Sequence, residues 1–300
     1  MKHSRIYSAS WLFGLALIFI TISSCEKDGN PNNLPDVSPE DYAGKVDGFN
    51  STDEIFPANL VAYWSFDGSN NEIKSGTAPT TSAGASFIPG GIKGQALSLK
   101  SGFLYYANQL NAFKTDALKS FTISTWVQIL NNGSKKTMLL QLARPGMFNG
   151  SLDFNLNTND NPASVTNYLR IAPTFATVGG GRQDNINAFG AVNVSPAIGS
   201  NVWVNLVLTY DATTGTFNIY GNGDKIGNYP NRGTGNNLFK AYEPGEFIIG
   251  ANYNLIPGKT VNTDASYAAM TGNVDEIRVY NRVLPQAILL ALFKLGKVGK

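Results

Sequence analysis

Phe121-Thr-Ile-Ser-Thr-Trp-Val-Gln-Ile129 alternates residue by residue. Phe121, Ile123, Val127 and Ile129 fall on one face, with Trp126 and Gln128 opposite. A period of two is the mark of a strand with one buried face. Working outward, runs of the same kind recur: Leu60–Phe66 and Gln95–Tyr106 before it, the latter broken at Ser101-Gly102. After it come Thr137–Ala143, Ser151–Asn157, Thr166–Ile171, Val202–Tyr210, Thr216–Tyr220, Glu246–Gly250 and Thr271–Asn281. Asn131-Asn-Gly-Ser134, Asp211-Ala-Thr-Thr-Gly215 and Gly221-Asn-Gly-Asp224 are turn chemistry between such runs. One helix is expected, opened by Pro285 and carried by Gln286–Lys294. Many strands and one terminal helix predict an all-β antiparallel sandwich.

Composition agrees. Charged residues are only 15% of the 300, hydrophobics 43%, and glycine is abundant at 31. That balance suits a packed core under many turns and excludes general disorder. The one histidine is His3 and the one cysteine Cys25. Once a leader is cleaved, no imidazole remains for a Ser-His-Asp triad, a Cys-His pair or a His/Cys zinc site. No internal disulfide can form.

Lys2 and Arg5 precede an apolar run of twelve residues, Trp11 to Ile22, too short to span a bilayer and suited to a signal sequence. It ends in Ile22-Ser-Ser-Cys25, which resembles a bacterial lipobox with cleavage before Cys25 and lipid on its sulfur. An ordinary secretory signal with an incidental cysteine is the other reading. Loss of Lys2 and Arg5 leaves 21 basic against 21 acidic side chains, so nucleic acid is not an expected partner. Residues 25–57, with Pro31, Pro35, Pro39 and Pro57, are expected to be a flexible tether. The expected organisation is therefore a leader over 1–24, the tether, and one domain over 58–300. The membrane partner would be met through the lipid anchor alone, at the outer membrane of a cell envelope and with surface display suggested by Lys27-Asp28.

The ordered landmarks of the domain resemble a family. Leu60-Val-Ala-Tyr-Trp-Ser-Phe-Asp67 resembles the opening strand of laminin-G-like, concanavalin A-like domains. Gly94-Gln-Ala-Leu-Ser-Leu99, Phe121–Val127, Trp203-Val-Asn-Leu-Val-Leu-Thr-Tyr-Asp211, Ile219-Tyr-Gly-Asn-Gly223 and Gly272-Asn-Val-Asp-Glu-Ile-Arg-Val-Tyr-Asn-Arg-Val-Leu284 resemble its later landmarks, in order. The resemblance implies a concanavalin A-like jelly-roll sandwich. It leaves function open, because this fold hosts lectins, adhesion modules and glycoside hydrolases.

Glycoside hydrolysis needs two carboxylates across the scissile bond. Enzymes of this fold often carry Glu-x-Asp-x-x-Glu, which is missing here. A non-catalytic glycan binder is the expectation, with protein interaction or adhesion as the alternative and a hydrolase after that. Alternation on Ser151–Asn157 puts Asp153 and Asn155 outward. The same logic turns Trp126, Gln128, Tyr168, Arg170 and Asn205 away from their apolar neighbours. If these strands share a sheet, the seven residues form one polar, aromatic face suited to sugar. For Trp126 and Trp203, core or second-layer packing is the favoured reading over a stacking platform. Phe148, Tyr242, Tyr253 and Tyr267 are rival loop platforms. Asp275 alternates with Ile277 and Val279 and is expected to point inward, where a carboxylate needs a cation, several N–H donors, or Arg278. The resemblance implies a structural Ca²⁺ near Asp67 and Asp275. Glu276 and Arg278 are expected to form a solvated pair.

Overall fold

The alternating stretch forms β4 (Phe121–Ile129) at the centre of the computed structural model, which describes residues 43–183, 194–229 and 234–300. Readings that fall on residues 1–42, including Cys25, lie outside the described residues. The other strands are β1 (Leu60–Trp64), β2 (Thr81–Pro89), β3 (Gln95–Tyr106), β5 (Lys136–Ala143), β6 (Leu152–Leu156) and β7 (Thr174–Ala176). They continue with β8 (Arg182–Gln183), β9 (Val204–Asp211), β10 (Thr216–Gly221), β11 (Asp224–Tyr229), β12 (Glu246–Ile249), β13 (Tyr267–Ala268) and β14 (Met270–Tyr280). The chain ends in α1 (Gln286–Lys297).

Among the described residues these strands are hydrogen-bonded in the order β11-β10-β9-β4-β14-β3-β12-β5-β6-β7-β8. Strand β1 adds to β14, β2 to β3, and β13 joins β5 in parallel. The order folds over at β3. Its first half, Leu97–Leu99, pairs with β14, and its second half, Leu104–Tyr106, pairs with β12. The first half of β3 therefore belongs to one layer with β14, β4, β9, β10 and β11, and the second half to the other with β12, β5, β6 and β7.

The crossing is made by a shared kink. Ser101 adopts φ +49°, and Gly84 on β2 adopts φ +59°. A Cβ on Gly84 would sit 2.4 Å from the Lys100 carbonyl oxygen, and one on Gly102 2.6 Å from those of Ala83 and Gly84. Only glycine lets two backbones approach this closely while turning.

The apolar faces of both layers meet in one core. Phe121, Ile123, Val127 and Ile129 of β4 are joined there by Leu206, Leu208 and Val274 of the first layer and by Leu104, Leu140, Phe154 and Phe247 of the second. Trp64 is fully buried, stacked on Phe113 and Phe247 with centroids 6.5 and 5.0 Å away. Its Nε1 donates to the Tyr106 hydroxyl at 2.9 Å, so the indole keeps a partner in the apolar interior.

Three sequence expectations are corrected. Residues 45–57 belong to the folded unit, which begins at Lys45 and not at 58. Ile55 is 1% exposed and packs with Leu289, Leu292 and Leu295 of α1, with Val46, Phe49 and Phe56 alongside. Residues 166–171 are not a strand. They make only isolated bridges, Leu156–Ile171 and Arg170–Val194, because their backbone bonds go to loop partners such as Ser195 and Asn131. Pro285 caps α1 from outside its first turn, and the helix runs on to Lys297.

Candidate ligand-binding groove

The seven residues expected on one face occupy two. The core lies between the layers, so the outward residues of β4 and of β6 look away from each other. Trp126 is 4% exposed and stacked on Phe293 of α1, centroids 5.6 Å apart. A Cβ on Gly296 would meet its ring at 2.7 Å, so the helix is seated directly on the indole. Asn205 is fully buried beside it and donates to Ser124 Oγ and the Thr125 carbonyl. Trp126 is thus a packing residue and Asn205 a strand tie.

Asp153 lies on the outward face of the second layer, 2% exposed. Its Oδ1 accepts from Gln141 Nε2 at 2.7 Å and the Gly150 N–H at 2.9 Å, and its Oδ2 from Thr174 Oγ1 at 3.0 Å. Burial pushes its pKa up, while these donors and Arg182 pull it down. Asn155, also buried, accepts from the Tyr267 hydroxyl at 2.9 Å. Phe148 packs on Tyr267 at 5.8 Å, and the Tyr253 N–H donates to Gln141 Oε1 at 2.7 Å. The segments around 148, 253 and 267 therefore roof this face, and Gln141, itself held by Asp153, ties the 148 and 253 segments down. Tyr168 and Arg170 sit on an irregular segment, with Arg170 3.6 Å from Asp160. Tyr242 is sandwiched between Arg144 and Lys240, 4.0 and 4.6 Å from its ring centroid.

Gln128 alone of the seven reaches an open cavity. A groove of about 670 Å³ opens where β4 leaves the first layer for β5. Its floor includes the row Ser98–Asn273–Gln128, adjacent across β3, β14 and β4. Asn131, Asn132, Ser134, Lys135 and Thr137 form one wall, and Lys100, Ser101 and Thr271 the other. Asn273 Nδ2 donates to Gln128 Oε1 at 2.8 Å. Gln128 Nε2 and Asn273 Oδ1 are left as a donor and an acceptor side by side, without a partner among the described residues. Ser101, at the β3 kink, is fixed by its N–H to Thr271 Oγ1 at 3.1 Å. Asn131 is held by Nδ2 bonds to the Val165 and Tyr168 carbonyls. Among the described residues no carboxylate and no aromatic ring lines this groove.

Sequence reasoning missed most of this wall. The signal was present: Asn131-Asn-Gly-Ser134 read as a turn, and Asn273 sits two residues before Asp275 on the same side of β14. Reading the turn as punctuation hid that its amides line a cavity.

The acids are otherwise engaged. Asp275 is fully buried, and Oδ2 accepts from the N–H groups of Ile92 at 2.6 Å and Lys93 at 3.3 Å, with Oδ1 accepting from Glu276 N–H at 2.9 Å. Burial first, and then neighbouring Glu276, push its pKa up to about 8, while the three N–H groups act the other way. Asp67 accepts from the Gln95 N–H at 2.8 Å. Both carboxylates thus clasp one turn, residues 91–95, through N–H donors. That donor set does not fit the Ca²⁺ that the resemblance implies, since calcium needs converging oxygens. Among the described residues no group of three His, Cys, Asp or Glu side chains converges for a metal. Glu72, buried, accepts N–H bonds from Tyr63, Lys74 and Ser75.

Glu276 and Arg278 are buried, 3% and 1% exposed, and not a solvated pair. Arg278 Nη2 contacts Glu276 Oε2 and Asp53 Oδ1, each at 2.8 Å, and Thr52 Oγ1 at 3.1 Å. Its guanidinium stacks on Tyr63, whose hydroxyl donates to Glu276 Oε1 at 2.6 Å. The network ties the 52–53 turn to β14 and β1. Both lie on the outward side of β14, as the alternation puts them, but the 52–53 turn covers them; the bulge at Glu276, φ +51°, instead turns Asp275 to the side of Trp126 and not inward with Ile277 and Val279 as expected.

No curated protein matches the chain in sequence. Its fold is similar to domain 4 of AbnA, a GH43 extracellular arabinanase from Geobacillus stearothermophilus, in complex with arabinotriose. The TM-score is 0.52 at 18% identity, over 78% of this chain and 98% of that one. It is similar also to the binding domain of Paraclostridial Mosquitocidal Protein 1, with TM-score 0.52 and 17% identity over 79% of this chain and 52% of that one. A third likeness is to the binding domain of Botulinum Neurotoxin DC in complex with SialylT, with TM-score 0.50 and 13% identity over 81% and 52%. At these identities the likenesses establish the fold alone. The family model of the concanavalin A-like lectin/glucanases superfamily matches residues 105–288. With that match over most of the chain and a two-layer jelly roll to accompany it, the chain belongs to the concanavalin A-like lectin/glucanases superfamily.

Proposed function

We propose that this protein is a non-catalytic carbohydrate-binding module that takes its glycan in the 670 Å³ groove. The observation that carries this reading is the half-buried Gln128–Asn273 amide pair on the groove floor, flanked by Asn132, Ser134 and Thr271. A sugar presents vicinal hydroxyls that each donate and accept, and a neighbouring amide donor and acceptor match them. The arabinotriose bound to domain 4 of AbnA gives the same kind of ligand to a similar fold. Against catalysis stands the placement of the acids: Asp153, Asp275, Glu72 and Glu276 are buried under N–H, hydroxyl or arginine partners, and Glu246 pairs with Lys259 at 3.2 Å. A hydrolase would need two open carboxyls within about 5–10 Å of each other.

The test is a glycan screen with the full chain, repeated with Asn273→Ala. Binding that falls at least tenfold in the variant, with no sugar released, is the expected result. Undiminished binding in the variant would move the site elsewhere, and release of reducing ends would make the protein an enzyme.

The reading extends to a lipid-anchored protein of the cell envelope, with Cys25 carrying the lipid and the tether ending before Lys45. Metabolic labelling with a fatty acid, lost in Cys25→Ala, tests this. A second, apolar groove of about 390 Å³ bordered by Leu118, Val178, Leu238 and Phe239 favours the alternative, a protein partner at the envelope. A complex with another envelope protein that survives Asn273→Ala would support it.

A further inference from the structure

The groove carries charge of one sign. Lys100 on one wall and Lys135 on the other are the ionisable side chains among its lining residues, and no carboxylate joins them. Lys100 is exposed and forms no ion pair among the described residues. Lys135 donates from Nζ to the Ala265 carbonyl, which fixes the ammonium without neutralising it. The carboxylate that feels it, Asp264, is turned to Ser266, whose N–H and hydroxyl hold its pKa down, and lies outside the lining. Among the described residues no aromatic ring lines the groove either, so they offer no stacking platform for the C–H face of a neutral sugar. Resting on the glycan reading, we infer that the ligand is an acidic oligosaccharide, whose carboxylate or sulfate lies between Lys100 and Lys135 while its hydroxyls meet Gln128 and Asn273.

Two ammonium groups on opposite walls of one cavity favour an anion between them, and the contribution shrinks as salt screens it. The floor alone would accept neutral and acidic sugars alike. Charge then selects, and the amide pair orients.

The experiment pairs each acidic probe with a partner that lacks its charge: an oligogalacturonide with its methyl ester, a sialylated trisaccharide with its sialic acid methyl ester, a sulfated with an unsulfated disaccharide. Titration of the full chain at low salt should show at least one acidic probe binding about tenfold or more tighter than its neutral partner. Raising salt to 300 mM, or the substitution Lys100→Gln, should shrink that preference at least threefold. Lys100 is exposed, so an unchanged melting temperature certifies the variant, and Lys135→Gln serves as the second. Equal or tighter binding of the neutral partners would overturn this inference and leave the glycan reading standing. A charge preference unmoved by both lysine variants would also overturn it, and no binding by any probe would end both.

Discussion

Asp275 shows how a single buried acid sets the local chemistry. Its three backbone donors fix the 91–95 turn, and its burial favours the protonated form. The folded-state pKa, about 8, lies above the ordinary value near 3.8, so the folded chain binds the proton more tightly. Stability from this group is therefore greatest below pH 4 and falls as pH rises toward 8, by roughly 5 kcal/mol at most. Asp153, also pushed up by burial, adds to the same slope. Urea denaturation at pH 5 and pH 8 should show the decline in the native chain and a flatter profile in Asp275→Asn, which starts from a lower stability because an amide N–H₂ then faces N–H groups. An identical slope in both chains would remove Asp275 as its source. The same donors predict that EDTA and added Ca²⁺ leave the melting temperature within about 1 °C of each other, since a metal bound to the native state would raise it. A rise of several degrees with calcium would contradict the assignment of these carboxylates to the turn.

Among the elements, the 45–57 segment and the β2/β3 kink matter most. A chain starting at residue 58 loses Ile55 from the α1 cluster and Asp53 from Arg278. Burial of one isoleucine alone is worth about 1.5–3 kcal/mol, or at least about 3 °C in a domain of this size. Calorimetry of chains beginning at 45 and at 58 checks this, and equal melting temperatures would return the segment to the tether. Gly84→Ala forces a Cβ against the Lys100 carbonyl at a positive φ and should cost at least about 1–3 kcal/mol. Because Lys100 and Ser101 form a groove wall, glycan binding should weaken with it; normal stability and binding would show that the kink relaxes freely.

At this scale the sequence was readable where alternation was strict. β4, β6 and β9 lay where the apolar residues put them, because a period of two leaves no choice of face. Residues 45–57 were misread because their few apolar residues, Phe49 and Ile55 among them, are too widely spaced to show a period. Residues 166–171 look extended in isolation, and only the competing loop donors deny them a ladder.

For the whole molecule, the family's fold was legible from six ordered landmarks, and the site was not. Alternation says which way a side chain points from its sheet and nothing of what lies on top. Trp126 and Asn205 point outward as expected, but into the underside of α1; Asp153 points outward into its own roof. Of the residues expected on β4 and β6, Gln128 lies beyond both covers, and the groove it enters is built by segments far apart in sequence. Trp64, by contrast, anchors both layers. Trp64→Ala should cost about 3–5 kcal/mol by chemical denaturation, and a loss under 1 kcal/mol would show that the aromatic cluster repacks.

The central claim is that the amide-floored groove binds glycan. Its most direct test is calorimetric titration of one screened glycan into the native chain and into Asn273→Ala, both with melting temperatures confirmed. Saturable binding that weakens at least tenfold in the variant is the predicted result. Equal affinity in both chains would contradict the claim.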